Sequence, residues 1–232
     1  STYYTEDEII KYLKNDTSKY RVLPLGTLAN ENRWSAFGVE SIEGYHPAKM
    51  SNYSIIKDNV GWSYMGILQM LNVKYLITLD EISHSDFIHV FTGELFHQGK
   101  FVRANIYKFN KFLPRVFFAH ELHKKSHNNN QIEILKNNNF NPLIHSFIDN
   151  DPEDFVYNSN STVRISYWSP DKIELEVVVP SKQFLIISEI FYPNGWKISS
   201  NLDWDIYSVN SILRGLYIPK GKHNIVMEFK PK

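Results

Sequence analysis

The chain contains no cysteine, which removes disulfides and thiolate metal sites. That absence fits the cytoplasm, and equally a bacterial extracytoplasmic space. There is no apolar run of membrane-spanning length and no signal-peptide pattern. Net charge is also missing: 25 Lys and Arg balance 25 Asp and Glu. Counterion release on nucleic acid needs a basic face, so no nucleic-acid partner is expected, and no polybasic segment offers an anchor to an acidic membrane surface. Glycine-rich phosphate loops, a Rossmann fingerprint and a Ser/His/Asp order are absent too. No cofactor is called for.

Apolar and aromatic residues are plentiful. They make up 43% of the chain, with 5 Trp, 14 Tyr and 15 Phe, enough for a substantial core and against disorder. At 232 residues there is room for one large domain or two modest ones. The chain begins at Ser1 without an initiator Met and ends Phe229-Lys230-Pro231-Lys232 directly after a strand-like run, so it reads as a domain excised from something longer.

The most informative stretch runs from Phe184 through Ile190 to Phe191-Tyr192-Pro193-Asn194-Gly195-Trp196. Its β-branched and aromatic residues are too few for a membrane helix and read as a strand buried on both faces. Pro193, Asn194 and Gly195 supply a turn, and Trp196-Lys197-Ile198 the returning strand. Further short strands are expected at 163–168, 173–179, 206–209, 212–218 and 224–229, with turn residues between them. Ile173, Leu175, Val177 and Val179 alternate with Lys172, Glu174 and Glu176, a strand with one wet face.

The first half reads differently. Residues 6–14 have helical spacing, with a Thr5/Glu8 capping box, acids in the first turn and lysines in the last. Strands are expected at 20–25, 73–79, 87–91 and 101–109, and helices near 53–57 and 62–71. The expected fold class is α+β: a small α/β layer over 1–110, then an antiparallel β-sandwich of jelly-roll or Ig-like type over 111–232. In the second part, strands are expected at 116–119 and 143–148 and a helix at 130–136.

Several pieces, in order, resemble the C-terminal extracytoplasmic region of the bacterial membrane protein YfhO family. They are Gly44-Tyr45-His46, Leu71-Asn72-Val73-Lys74-Tyr75-Leu76-Ile77-Thr78, Leu113-Pro114-Arg115-Val116-Phe117-Phe118 and Ser188 to Trp196. The set closes with Asn210 to Pro231, including Arg214-Gly215 and Pro219-Lys220-Gly221-Lys222-His223. Asn194 departs from it, since the family pattern runs directly from Tyr-Pro to Gly-Trp. The resemblance implies a polytopic membrane protein related to glycosyltransferases of the GT-C type, which use polyprenyl-phosphate sugars outside the cytoplasm. Catalytic acids in such proteins lie in an early loop that this chain would lack. The fragment itself would then be non-catalytic, packing on its own transmembrane segments or recognising a glycan, acceptor or cell-envelope polymer. A free-standing carbohydrate-binding or adhesive module is the alternative, and a hydrolase the third class.

The candidate ligand-binding residues are Tyr45, His46, Glu189, Tyr192, Trp196 and Arg214. Glu189 interrupts an apolar strand and needs a partner or a raised pKa; Arg214, on another core strand, is the expected mate, as a structural ion pair. A glycosidase would need a second carboxylate, and none is placed; Glu174 and Glu176 share a solvated face. Tyr192, Trp196, Trp204, Tyr207 and Tyr217 could form an aromatic platform for sugar rings, or be core residues. His120-Glu121-Leu122-His123 with His127 could share a helical face and bind zinc. The pattern is not His-Glu-x-x-His and Lys124-Lys125 adjoin it, so a solvated polar loop is the expected reading, with no metal.

Overall fold

The computed structural model describes residues 6–43, 51–126, 131–192, 195–198 and 204–230. Tyr45, His46, His127 and the Pro193-Asn194 pair lie outside the described residues. The fold is α+β with a β-sandwich, as the sequence pattern implies. The chain divides into two compact units: Ser1–Lys49 with Leu68–Pro114, and Met50–Ile67 with Arg115–Lys232. A linear division at 110/111 therefore misses that residues 50–67 group with the sandwich.

The first unit opens with α1 (Glu8–Asn15). Its cap is Asp7, whose side chain accepts the Ile10 amide; Thr5 of the expected Thr5/Glu8 box lies outside the described residues. An Asp one residue before the helix satisfies an orphan donor directly. Ile9, Ile10 and Leu13 form the buried stripe. Strand β1 (Arg21–Pro24), a 3₁₀ turn (Gly26–Leu28) and α2 (Arg33–Ala36) follow. The chain then supplies α3 (Ser51–Asn59) to the second unit, and α4 (Met65–Met70) straddles the division. Asn72, in the left-handed region at φ 59, ends that helix and starts β2 (Val73–Thr78). β3 (Phe87–His97) and β4 (Lys100–Phe109) make a hairpin turned by Gln98 and Gly99, both at positive φ. The sheet order is β1-β2-β4-β3, with β1 parallel to β2 and the other pairs antiparallel. The α1 stripe, Trp34, Val22, Ile77, Leu95 and Ile106 build one core cluster.

The second unit starts its strands with β5 (Val116–Phe118) and β6 (His123–Lys124), then α5 (Gln131–Leu135). A strand expected over 143–148 is instead α6 (Pro142–His145) and the two-residue β7 (Phe147–Ile148). Asn141 accepts the Leu143 amide at 3.0 Å and Pro142 occupies the first turn, so local capping overrides the apolar run. The remaining strands are β8 (Thr162–Trp168), β9 (Lys172–Val179), β10 (Gln183–Ile190), β11 (Trp196–Ile198), β12 (Tyr207–Val209), β13 (Leu213–Ile218) and β14 (Gly221–Phe229).

They form two sheets, β5-β10-β13-β12-β7-β6 and β11-β14-β9-β8. Leu185, Ile187, Leu216 and Ile218 of the first pack with Ile173, Leu175, Val177, Ile225 and Met227 of the second in one cluster. β10 is buried from Gln183 through Ser188. Its odd positions enter that cluster, while Phe184 meets Tyr207 and Tyr217. The double burial expected of this run is observed. Gly215, opposite Ile186, has no room for a side chain: a Cβ would come within 2.4 Å of the Phe184 ring.

Candidate functional site

Where β10 leaves the core, its register with β13 shifts between Ile187 and Ile190. A bulge of this kind re-aims side chains, and Glu189 lies inside it. Its carboxylate accepts a hydrogen bond from Arg115 Nη1 at 2.9 Å. Arg115 directly precedes β5, and its carbonyl accepts the Ser188 amide at 2.8 Å, so backbone pairing sets the ion pair. The Arg115 side chain is 0% exposed and that of Glu189 25%.

Arg214 enters from β13. Its Nε donates to the Ile190 carbonyl at 3.0 Å, and its guanidinium lies 4.0 Å above the Trp196 ring. Arg115 lies 5.3 Å over Trp168 in the same manner. Each guanidinium therefore reaches from the six-stranded sheet to a tryptophan on an edge strand of the four-stranded one. Burial pushes the Arg214 pKa down to about 10, against the raising pull of Glu189. Its Nη1 is buried with no hydrogen-bond partner among the described residues.

The aromatic rim continues outward. The Trp196 ring lies 5.7 Å from Phe229, its cross-strand partner, and Tyr192 meets the same Phe229 ring edge-on at 5.7 Å. Tyr192 is 41% exposed, so one ring of this row faces water.

The structure thus brings Glu189, Tyr192, Trp196 and Arg214 together at one end of the sandwich. Two sequence expectations change in detail. Glu189's hydrogen-bonded partner is Arg115, while Arg214 acts on it through charge without a hydrogen bond. The five aromatics do not make one platform either. Tyr207 and Tyr217 meet Phe184 and each other edge-on, and Trp204 packs against His223. Strand parity separates Tyr217 from Arg214 and Leu216. Arg115, Trp168 and Phe229 belong to the site and were not singled out. Arg115 carried a usable signal, an arginine directly before a three-residue apolar strand.

The His120–His123 region is placed elsewhere. The His120 ring stacks on Tyr157 at 3.8 Å; burial lowers its pKa, with Glu121 pulling the other way. His123 Nε2 hydrogen-bonds the Ile144 carbonyl at 2.8 Å. Its ring also lines a cavity of about 390 Å³ with Lys124, Ile134, Phe140 and His145. No group of three His, Asp or Glu among the described residues is arranged to hold a metal ion.

Chemically, the described residues at the sandwich end set the Glu189 carboxylate against the buried Arg115 and Arg214 guanidinium groups. They offer an aromatic face, a half-hydrated acceptor and a buried donor, which suits binding. Compared with protein-family models, curated proteins and solved structures, the chain matches none.

Proposed function

We propose that this chain is the extracytoplasmic, C-terminal domain of a YfhO-like polytopic membrane protein related to polyprenyl-phosphate-sugar-dependent glycosyltransferases. In this reading its sandwich recognises a glycan, acceptor or cell-envelope polymer and does not turn it over. The observation that carries the recognition role is the exposed Tyr192 ring, backed by Phe229 and Trp196, the latter in contact with Arg214. The apolar C–H face of a sugar stacks on such a ring, while a carboxylate accepts from its hydroxyls. The pairing of Glu189 with Arg115 favours a fixed acceptor over a proton carrier.

The membrane attachment rests on the ordered set of motifs from Gly44 to Pro231. No helix among the described residues is long and apolar enough to cross a membrane, so the spans would be supplied by the rest of the protein, and those spans are the first expected partner. A free-standing carbohydrate-binding or adhesive module would use the same aromatic rim. The complete encoded sequence separates the two: multiple apolar spans support the first, and a protein without any refutes it. Screening the purified chain on an oligosaccharide array tests recognition, and failure to retain any glycan would refute that part.

A further inference from the structure

In the first unit, three side chains from separate segments meet at one end of the four-stranded sheet. Thr27 lies in the 3₁₀ turn after β1, Glu31 follows that turn, and His97 ends β3. β1 and β3 both run parallel to β2. Thr27 and His97 therefore stand beyond the carboxyl ends of two strands, where open sheets commonly hold ligands. Thr27 Oγ1 is 3.1 Å from His97 Nε2, and His97 Nδ1 is hydrogen-bonded to the Glu31 carboxylate. A carboxylate on Nδ1 assigns the proton to that nitrogen, leaving the Nε2 lone pair for the threonine hydroxyl. Hydroxyl, imidazole and carboxylate thus follow the order of an acyl-transfer site.

The surroundings hold this array firmly. Arg33 Nη1 stands 3.7 Å from Glu31. The same guanidinium donates to the Phe96 carbonyl and to Asp7, and Asp7 accepts the Phe96 amide at 3.1 Å. Both backbone polar groups of the residue before His97 are thereby tied to one buried ion pair. His97 itself is only 6% exposed. A buried structural histidine does not need an exposed residue as one of its two partners, and Thr27 is exposed. Gly26, at φ +59, provides the sharp turn that puts it there.

We propose that Thr27, His97 and Glu31 form a hydrolytic site for small O-acyl esters, a site independent of the sandwich end. Thr27 Oγ1 attacks the ester carbonyl carbon, and its proton passes to His97 Nε2. The tetrahedral adduct collapses by breaking the ester C–O bond, and the leaving alkoxide takes the proton from Nε2. Water, giving a proton to Nε2, then attacks the acyl-threonine. The carboxylic acid departs as Oγ1 recovers that proton. The threonine methyl crowds the attacking oxygen, so short acyl groups such as acetyl are the expected substrates. Glu31 is a positioning residue, acting through His97.

The test uses the full chain and p-nitrophenyl acetate. The wild type should hydrolyse it about a hundredfold or more faster than Thr27→Ala. Thr27→Ser should match or exceed the wild type, and His97→Gln should fall to the alanine level. Brief reaction followed by peptide mass spectrometry should find one acetyl group on the peptide containing Thr27. Glu31→Gln should lower the rate and Glu31→Asp restore part of it at unchanged melting temperature, a rescue that a packing role would not give. Thr27 is exposed, so its variants should fold. Equal rates for wild type and Thr27→Ala, or acetyl groups found only on other side chains, would overturn the assignment.

Discussion

Replacing Glu189 by Gln keeps the shape of the side chain and removes its charge, leaving Arg115 and Arg214 buried as like charges at the same sandwich end. Breaking a buried pair from one side costs about 3–5 kcal/mol. The Glu189 side chain is 25% exposed, so the lower figure, about 3 kcal/mol, applies. Divided by a urea dependence of about 2 kcal/mol per molar, that lowers the midpoint by about 1.5 M. Arg115→Met removes the same pair but leaves the carboxylate, which water can reach, and should cost about 2 kcal/mol. Arg214→Met is the discriminating member. Its folded pKa lies near 10, below the ordinary 12.5. The fold therefore bears the cost of that charge throughout the range below about pH 10, and sheds it only as the pH rises through that value. Losing the arginine forfeits one hydrogen bond and the Trp196 contact while removing this cost, so a change within about 1 kcal/mol is expected. Urea titrations at pH 7, followed by tryptophan emission with the slope unchanged, give the order Glu189→Gln, Arg115→Met, Arg214→Met. If Arg214→Met costs as much as Glu189→Gln, or if Glu189→Gln unfolds with the wild type, the charge argument fails.

Two further outcomes follow from packing and pH linkage. Burial raises the Asp16 pKa, but the Lys74 ammonium at 2.6 Å and the Ser18 and Tyr75 hydroxyls outweigh it and hold the carboxyl well below its ordinary range. A depressed folded pKa gives stability that is present above the ordinary value of 3.8 and lost as the pH falls below it. Asp16→Asn should cost the first unit about 2 kcal/mol at pH 7 and flatten its acid limb, read by urea midpoints at pH 7 and pH 3; an unchanged acid limb would refute the assignment. Gly215→Ala drives a methyl to 2.4 Å from Phe184 and 2.6 Å from Val209. Overpacking of this kind should cost about 1–3 kcal/mol in thermal or urea unfolding, whereas a neutral alanine would mean that the Phe184 ring yields freely.

Much of the sandwich was legible because strands buried on one or two faces announce themselves. The alternation of Ile173, Leu175 and Val177 matches their burial, and the continuous run from Phe184 matches a strand buried on both faces. Residues 143–148 misled because a short apolar run has no period of its own. Asn141 and Pro142, which decide for a helical turn, lie outside that run. The site was half legible for a related reason. Glu189 and Arg214 are conspicuous as charges within apolar strands, but the bulge at Ser188–Glu189 and the pairing of β5 with β10 select Arg115 as the hydrogen-bonded mate. No local pattern encodes either. Thr27, Glu31 and His97 were silent, since about 70 residues of chain separate partners that only sheet topology brings together.

The most direct test of the account is a two-dimensional NMR titration of the indole N–H resonances of the five tryptophans with a panel of neutral and acidic oligosaccharides. Trp196, and to a smaller extent Trp168, should shift on adding a bound glycan while Trp34 and Trp62 stay in place, and Tyr192→Ala should abolish the shift without lowering the melting temperature. Shifts confined to Trp34 or Trp62, persistence in Tyr192→Ala, or no shift with any member of the panel would contradict a recognition surface at the end of the sandwich.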